Sequence, residues 1–185
     1  MAFFSFLFLL LAQTPQTPAQ TAPKPAPTKE TLSWTAQRPL TWADFKSRPM
    51  YTDRLAALTS STIDVQVGCT DFVFSATVRA LFIPEESWVR DGTKASPALL
   101  RHEQLHFDLT ELHARLLRQK LSLVKLDCVH LQPTFGNLSK VAFAAWQREE
   151  GRYDQETNHG LNADKQKFWE AQVQTRLAQL TAFAQ

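Results

Sequence analysis

Ser96-Pro97-Ala98-Leu99-Leu100-Arg101-His102-Glu103-Gln104-Leu105-His106-Phe107-Asp108-Leu109 fixes a helix and its buried side. Serine accepts a backbone hydrogen bond at an N-cap, and proline suits the first helical position, where its missing N–H has no partner to lose. Leu105, Leu109, Leu112 and Leu116 follow at intervals of four, three and four, so one apolar stripe faces a core. The helix extends to about Val124. Residues four apart sit about 40° apart around the axis and one turn along it, so His102 and His106 point the same way.

Upstream of this helix the pattern is that of strands. Residues 61–67 (STIDVQV) alternate, with Ile63, Val65 and Val67 on one face. A turn at Gly68–Asp71 leads into a β-branched and aromatic run from Phe72 to Ile83, an antiparallel hairpin that Pro84 ends. Trp34, Leu40, Trp42 and Phe45 punctuate a turn-rich segment before it. Downstream, Leu138–Glu149 reads as a second helix, with Val141, Ala145 and Trp146 on one face. Ala163–Phe183 reads as a third, with Phe168, Trp169, Val173, Leu177 and Leu180. Gly151 and Gly160 bracket a short polar segment between them. The expected fold is α+β: a small antiparallel sheet, then the histidine-bearing helix, then two more helices.

The 185 residues carry a net charge of +2, 44% of them hydrophobic, which excludes a disordered polymer and gives no electrostatic footprint for nucleic acid. Residues 1–12 (MAFFSFLFLLLA) form an apolar run too short to span a bilayer but suited to the core of an export signal. A signal peptide is expected over 1–20. A Pro-rich stretch begins near residue 13 and serves as a linker over 21–30, and a single domain follows over 31–185. The protein is therefore expected to be secreted or periplasmic, with no stable membrane span once the signal is removed. In an oxidising compartment Cys69 and Cys128 are expected to form a disulfide. Nothing in the sequence indicates an oligomeric state.

His102-Glu103-Gln104-Leu105-His106 is the H-E-x-x-H arrangement. Two imidazoles one turn apart can reach one Zn²⁺, and Glu103 beside them is placed to take a proton from a water that the metal acidifies. A catalytic zinc needs a third protein ligand. His113 lies about 10 Å further along the axis and is too distant, so it reads as a partly buried neighbour. Residues 153–160 (YDQETNHG) offer the missing chemistry. His159 is the first choice as third ligand, because imidazole suits zinc, and Asp154 the alternative. Tyr153 would donate to a developing oxyanion, as a catalytic group. Asp108, Glu111 and Glu156 are candidates to orient a ligating imidazole from behind.

Three runs together resemble the bacterial family filed as domain of unknown function 922: Phe82–Val89 (FIPEESWV), Leu100–Asp108 (LRHEQLHFD) and Tyr153–Gly160, with Gln166 and Trp169 beyond. Trp42, Asp44 and Phe45 match its opening segment, and the resemblance covers about residues 32–183. That family is described as secreted zinc-dependent proteases of the zincin type. The resemblance implies a zincin-like fold, with His102 and His106 as ligands and Glu103 as base. The expected activity is that of an exported zinc metallopeptidase acting on a peptide or protein substrate. An extended substrate would pair with the 72–83 strand. The alternative is a zinc-stabilised, non-catalytic binding domain of the cell envelope.

Overall fold

The computed structural model describes residues 30–185, so the expected signal peptide over 1–20 and all of the linker but Glu30 lie outside the described residues. The described chain runs β1 (Leu32–Ser33), β2 (Ala57–Leu58), β3 (Ser61–Thr70), β4 (Val73–Phe82), β5 (Trp88–Val89), α1 (Pro97–Leu123), α2 (Thr134–Thr157) and α3 (Ala163–Gln179). Small antiparallel sheets followed by helices make it an α+β fold. β3 and β4 form the hairpin, paired from Ser61↔Phe82 to Thr70↔Val73. Its turn is Asp71-Phe72, both at positive φ, and not Gly68–Asp71. A two-residue turn with both residues left-handed matches the twist of the strands, so the ladder continues through Gly68 and Cys69. β1 takes the other side of β4 at Leu32↔Phe82, while β2 and β5 form a separate two-stranded sheet.

α1 is buried on two sides. The inward positions of the hairpin, Ile63, Val78, Ala80 and Phe82, pack with Phe107, Ala114 and Leu117 on one flank of the helix. The leucine stripe of Leu105, Leu109 and Leu112 packs on the other flank against Tyr153, Trp169 and Val173 from α2 and α3. The single apolar face read from the leucines is thus half of what α1 buries. A helix enclosed this way must pair its charges. Glu111 accepts from Arg115 Nε at 2.8 Å and Arg118 Nη1 at 3.1 Å. Arg118 also donates to Val78 O and Phe183 O, tying the sheet and the C-terminal turn to the helix. Ser96 caps α1 by accepting from Leu99 N at 3.1 Å.

α2 is longer than its periodicity indicated. It passes through Gly151 and ends at Thr157, where Asn158, His159 and Gly160 turn in left-handed conformation. The cost of a mid-helix glycine, about 1 kcal/mol, is small beside burying Tyr153 and Thr157 against α1 and α3. Tyr153, Asp154 and Glu156 are therefore helical residues with fixed directions. Asn162 caps α3 by accepting from Lys165 N. No helix among the described residues is long and apolar enough to cross a membrane.

Cys69 of β3 is joined to Cys128 of the α1–α2 connection across 59 residues of sequence. Closing a loop of that length restricts the unfolded chain, an effect of about 4 kcal/mol by chain-entropy reasoning. Denaturant melts with and without reductant are expected to differ by that order. A Cys69→Ser, Cys128→Ser double variant should match the reduced protein and lose nothing more on reduction.

Glu149 of α2 lies between His113 Nε2 at 2.7 Å and the guanidinium of Arg176, whose Nη2 is 3.0 Å away. Burial alone would raise its pKa, but contacts with His113 and Arg176 prevail and bring it from 4.5 to about 2. A carboxyl depressed by folding contributes stability above its unfolded pKa and loses it as pH falls through the folded value. Glu149→Gln should therefore be less stable than wild type at pH 7. The gap should narrow between pH 4.5 and 2 in acid-unfolding curves.

Candidate metal centre

Three elements supply the site. α1 presents His102, Glu103 and His106 from successive turns, α2 supplies Glu150, Tyr153 and Asp154, and the left-handed link after α2 supplies His159. His102 Nε2 and His106 Nε2 stand 3.3 Å apart. Asp154 Oδ1 is 3.2 Å from the first and 3.1 Å from the second. It is buried and, despite those distances, takes hydrogen-bond geometry from neither ring. Its other neighbour is His159 Nδ1 at 3.4 Å, and one atom each of His102, Asp154 and His159 lie within 4.8 Å of one another, a grouping that could hold a metal ion. The His102–His106–Asp154 triangle is the tighter of the two sets, so Asp154 fits the third position better than His159 does.

The imidazoles are held from behind. His106 Nδ1 donates to Glu150 Oε2, and Glu150 Oε1 accepts from Trp146 Nε1 at 2.8 Å. His102 Nδ1 faces Gln166 Oε1 at 3.3 Å, and that oxygen also accepts from the Tyr153 hydroxyl at 2.9 Å. With each Nδ1 donating, each Nε2 is left as the lone-pair nitrogen, the form a metal requires. The Tyr153 ring stacks on His102 at 4.8 Å and meets His106 edge-on at 4.9 Å. Gly160, at φ 78°, lies so close to His102 that a Cβ there would stand 3.0 Å from the ring carbon. Glu103 is buried, and Thr59 Oγ1 donates to its Oε2 at 2.8 Å.

A cavity of about 120 Å³ opens over these groups. Residues 55–59 wall one side and Leu99 another, with His102, Glu103, His106, Asp154 and His159 on its floor. β4 is not part of it. That strand lies between β1 and β3, so the free strand at the cavity is β2, paired on one edge only, with β5.

Several assigned roles change. Tyr153 is fully buried and its hydroxyl is engaged by Gln166 and by His102 O at 3.1 Å, so it positions His102 and does not reach the cavity. Asp108 points to the opposite side of α1, where its Oδ1 accepts from Trp34 and Gln104. Glu111 belongs to the arginine cluster, and Glu156 accepts from Trp169 Nε1 at 3.0 Å. None of the three touches an imidazole of the site. Their place is taken by Glu150 and Gln166. Trp146, Glu150, Tyr153 and Asp154 fall at helical spacing, a signal hidden by ending the second helix at Glu149. Thr59 follows a two-residue strand and carried no signal.

Residues 84–160 match the family described as bacterial protein of unknown function (DUF922), the family that the motifs resemble. No curated protein and no solved structure matches the chain.

Burial alone would lower the pKa of His106, but the close carboxylates of Asp154 and Glu150 outweigh it and lift it from 6.5 to about 10. The same rings hold Asp154 well below the usual carboxylate range against the opposing effect of its burial. A histidine raised by folding contributes stability below its unfolded pKa and loses it as pH rises through the folded one. In chelator-treated protein, NMR titration should find His106 protonated up to about pH 10. Glu150→Gln should lower that midpoint and reduce stability at pH 7, and an unchanged midpoint would remove Glu150 from the site.

Proposed function

We propose that the protein is an exported zinc-dependent metallohydrolase, a peptidase, in which His102, His106 and Asp154 hold the ion and Glu103 is the general base. The observation that carries this reading is the triangle of ligand atoms, with edges of 3.3, 3.2 and 3.1 Å. Ligands held tetrahedrally at about 2.0 Å from one ion stand about 3.3 Å apart. Two imidazole nitrogens and a carboxylate oxygen brought this close need a cation, a proton or both between them. Zinc bound there supplies Lewis acidity, polarising a carbonyl and bringing the pKa of a water towards about 7.

The chain's own groups supply the rest. Glu103, pinned through one oxygen by Thr59, takes the proton of the attacking water and delivers it to the leaving amine. His159 lines the same cavity and is half-exposed, so the donor role towards the oxyanion passes to it from Tyr153. β2 offers an extended peptide an unpaired edge along the cavity wall. Export is supported by the apolar run of residues 1–12 and by the Cys69–Cys128 disulfide, which suits an oxidising compartment.

His159 also favours a second reading. As a fourth ligand it would close the coordination sphere, giving a zinc-stabilised binding domain without activity. Elemental analysis is expected to find one zinc per chain, lost in His102→Ala and Asp154→Ala. Glu103→Gln should keep the metal and lose hydrolysis of a peptide library by about a hundredfold or more. A folded, metal-free protein purified from zinc-replete cells overturns the site. A zinc-loaded wild type that cleaves nothing favours the binding domain.

A further inference from the structure

On the side of α1 away from the metal centre, a cavity of about 480 Å³ lies between the segment after β1 and the C-terminal part of α3. Its volume falls within the range of small-molecule sites, about 300–1,000 Å³. Trp34, Pro39, Leu177 and Ala178 give it apolar walls, and Asp108 and Arg115 are its charged groups. Asp108 uses one oxygen, Oδ1, for two neutral donors, Trp34 Nε1 and Gln104 Nε2, both at 2.7 Å. Among the described residues it has no ion-pair partner. Arg115 sends Nε to Glu111 and Nη1 to Leu177 O, both at 2.8 Å, and lays its guanidinium 5.3 Å from the centre of the Trp34 ring. Among the described residues its Nη2 has no hydrogen-bond partner. Glu111 is shared between Arg115 and Arg118, so this cluster carries one positive charge in excess.

An anionic and a cationic side chain thus line one cavity, each in contact with the Trp34 indole and not paired with the other. We infer that this cavity binds a short zwitterion of dipeptide length, its ammonium on Asp108 and its carboxylate on Arg115, with the side chains against Trp34 and Leu177. The two helix positions are seven residues apart, about 10 Å along the axis, and the long arginine side chain shortens that gap. An extended chain covers about 3.3–3.6 Å per residue, so two residues place opposite charges about 7 Å apart. A single amino acid is too short to engage both groups. This inference does not depend on the metal centre.

The test is calorimetric titration of the full protein with L-alanyl-L-alanine. Saturable binding is expected, weakened at least about tenfold by N-acetylation, by C-terminal amidation, and by Asp108→Asn. Glycine and trialanine should bind more weakly than the dipeptide. Ala178→Leu changes an exposed α3 residue that lines the cavity, so it fills the space without touching a buried charge and should abolish binding. Ala178 lines this cavity and not the one at the metal centre, so loss of binding in that variant also separates the two. Absence of dipeptide binding, equal binding of the capped dipeptides, tighter binding of glycine or trialanine, or full affinity in Ala178→Leu would each overturn the inference.

Discussion

A buried carboxylate oxygen wedged between two imidazole nitrogens is the constraint around which the three helices are arranged. Asp154 Oδ1 meets both rings at 3.1–3.2 Å and receives no well-directed hydrogen. Left alone, three lone-pair atoms in so small a volume repel, and burying them costs several kcal/mol. Folding can tolerate that only if something positive is held there. Protonation of His106 is one answer, and the flanking carboxylates make it available. A divalent cation is the stronger one, because its binding free energy is then part of the folding free energy. The packing serves the same end. Tyr153 sits behind both rings, Glu150 and Gln166 fix their tautomers, and Gly160 leaves room for His102.

The rigidity needed to hold such an arrangement comes from α1. Its two flanks are buried in two different cores, one against the hairpin and one against α2 and α3. A helix held on both sides cannot rotate to relieve crowding at His102 and His106, so the geometry is imposed by packing. The charged residues of α1 divide accordingly. Glu103 joins the histidines at the cavity, Glu111, Arg115 and Arg118 lock the helix to the sheet and the C-terminal turn, and Asp108 looks the other way. One helix thereby carries separate chemistries on separate sides.

What was legible in the sequence were features with a period. The Ser96-Pro97 start and the four-residue step from His102 to His106 appear in the structure as read, and Ile63 and Val65 face inward as their alternation indicates, while Val67, further along β3, is exposed. The α2 misreading came from treating Gly151 as punctuation. A glycine costs a helix about 1 kcal/mol, and the burial of Tyr153 on the next turn outweighs it, which is tertiary context that local pattern does not carry. A helix that stops at Glu149 leaves Glu150 and Asp154 without a common face and Tyr153 without a fixed direction. Asp108 and Glu111 lie close to His106 in sequence but not on its side of the helix. Two and five residues beyond His106 are nearly opposite and differently rotated positions, so helical geometry argued against them.

The match over residues 84–160 divides the site in a physically meaningful way. His102, Glu103, His106, Glu150, Tyr153, Asp154 and His159 all lie within it, so the matched segment contains the clustered imidazoles and carboxylates and most of the groups that hold them. The wall formed by residues 55–59 lies outside it, as does Gln166. In the proposed peptidase, shape and edge pairing at that wall would select an extended chain, and the triangle of His102, His106 and Asp154 would serve its chemistry. The match therefore covers the histidine–carboxylate cluster and not the wall beside it. The two parts are joined by the two residues of edge strand β2 and by the Thr59 hydroxyl that donates to Glu103.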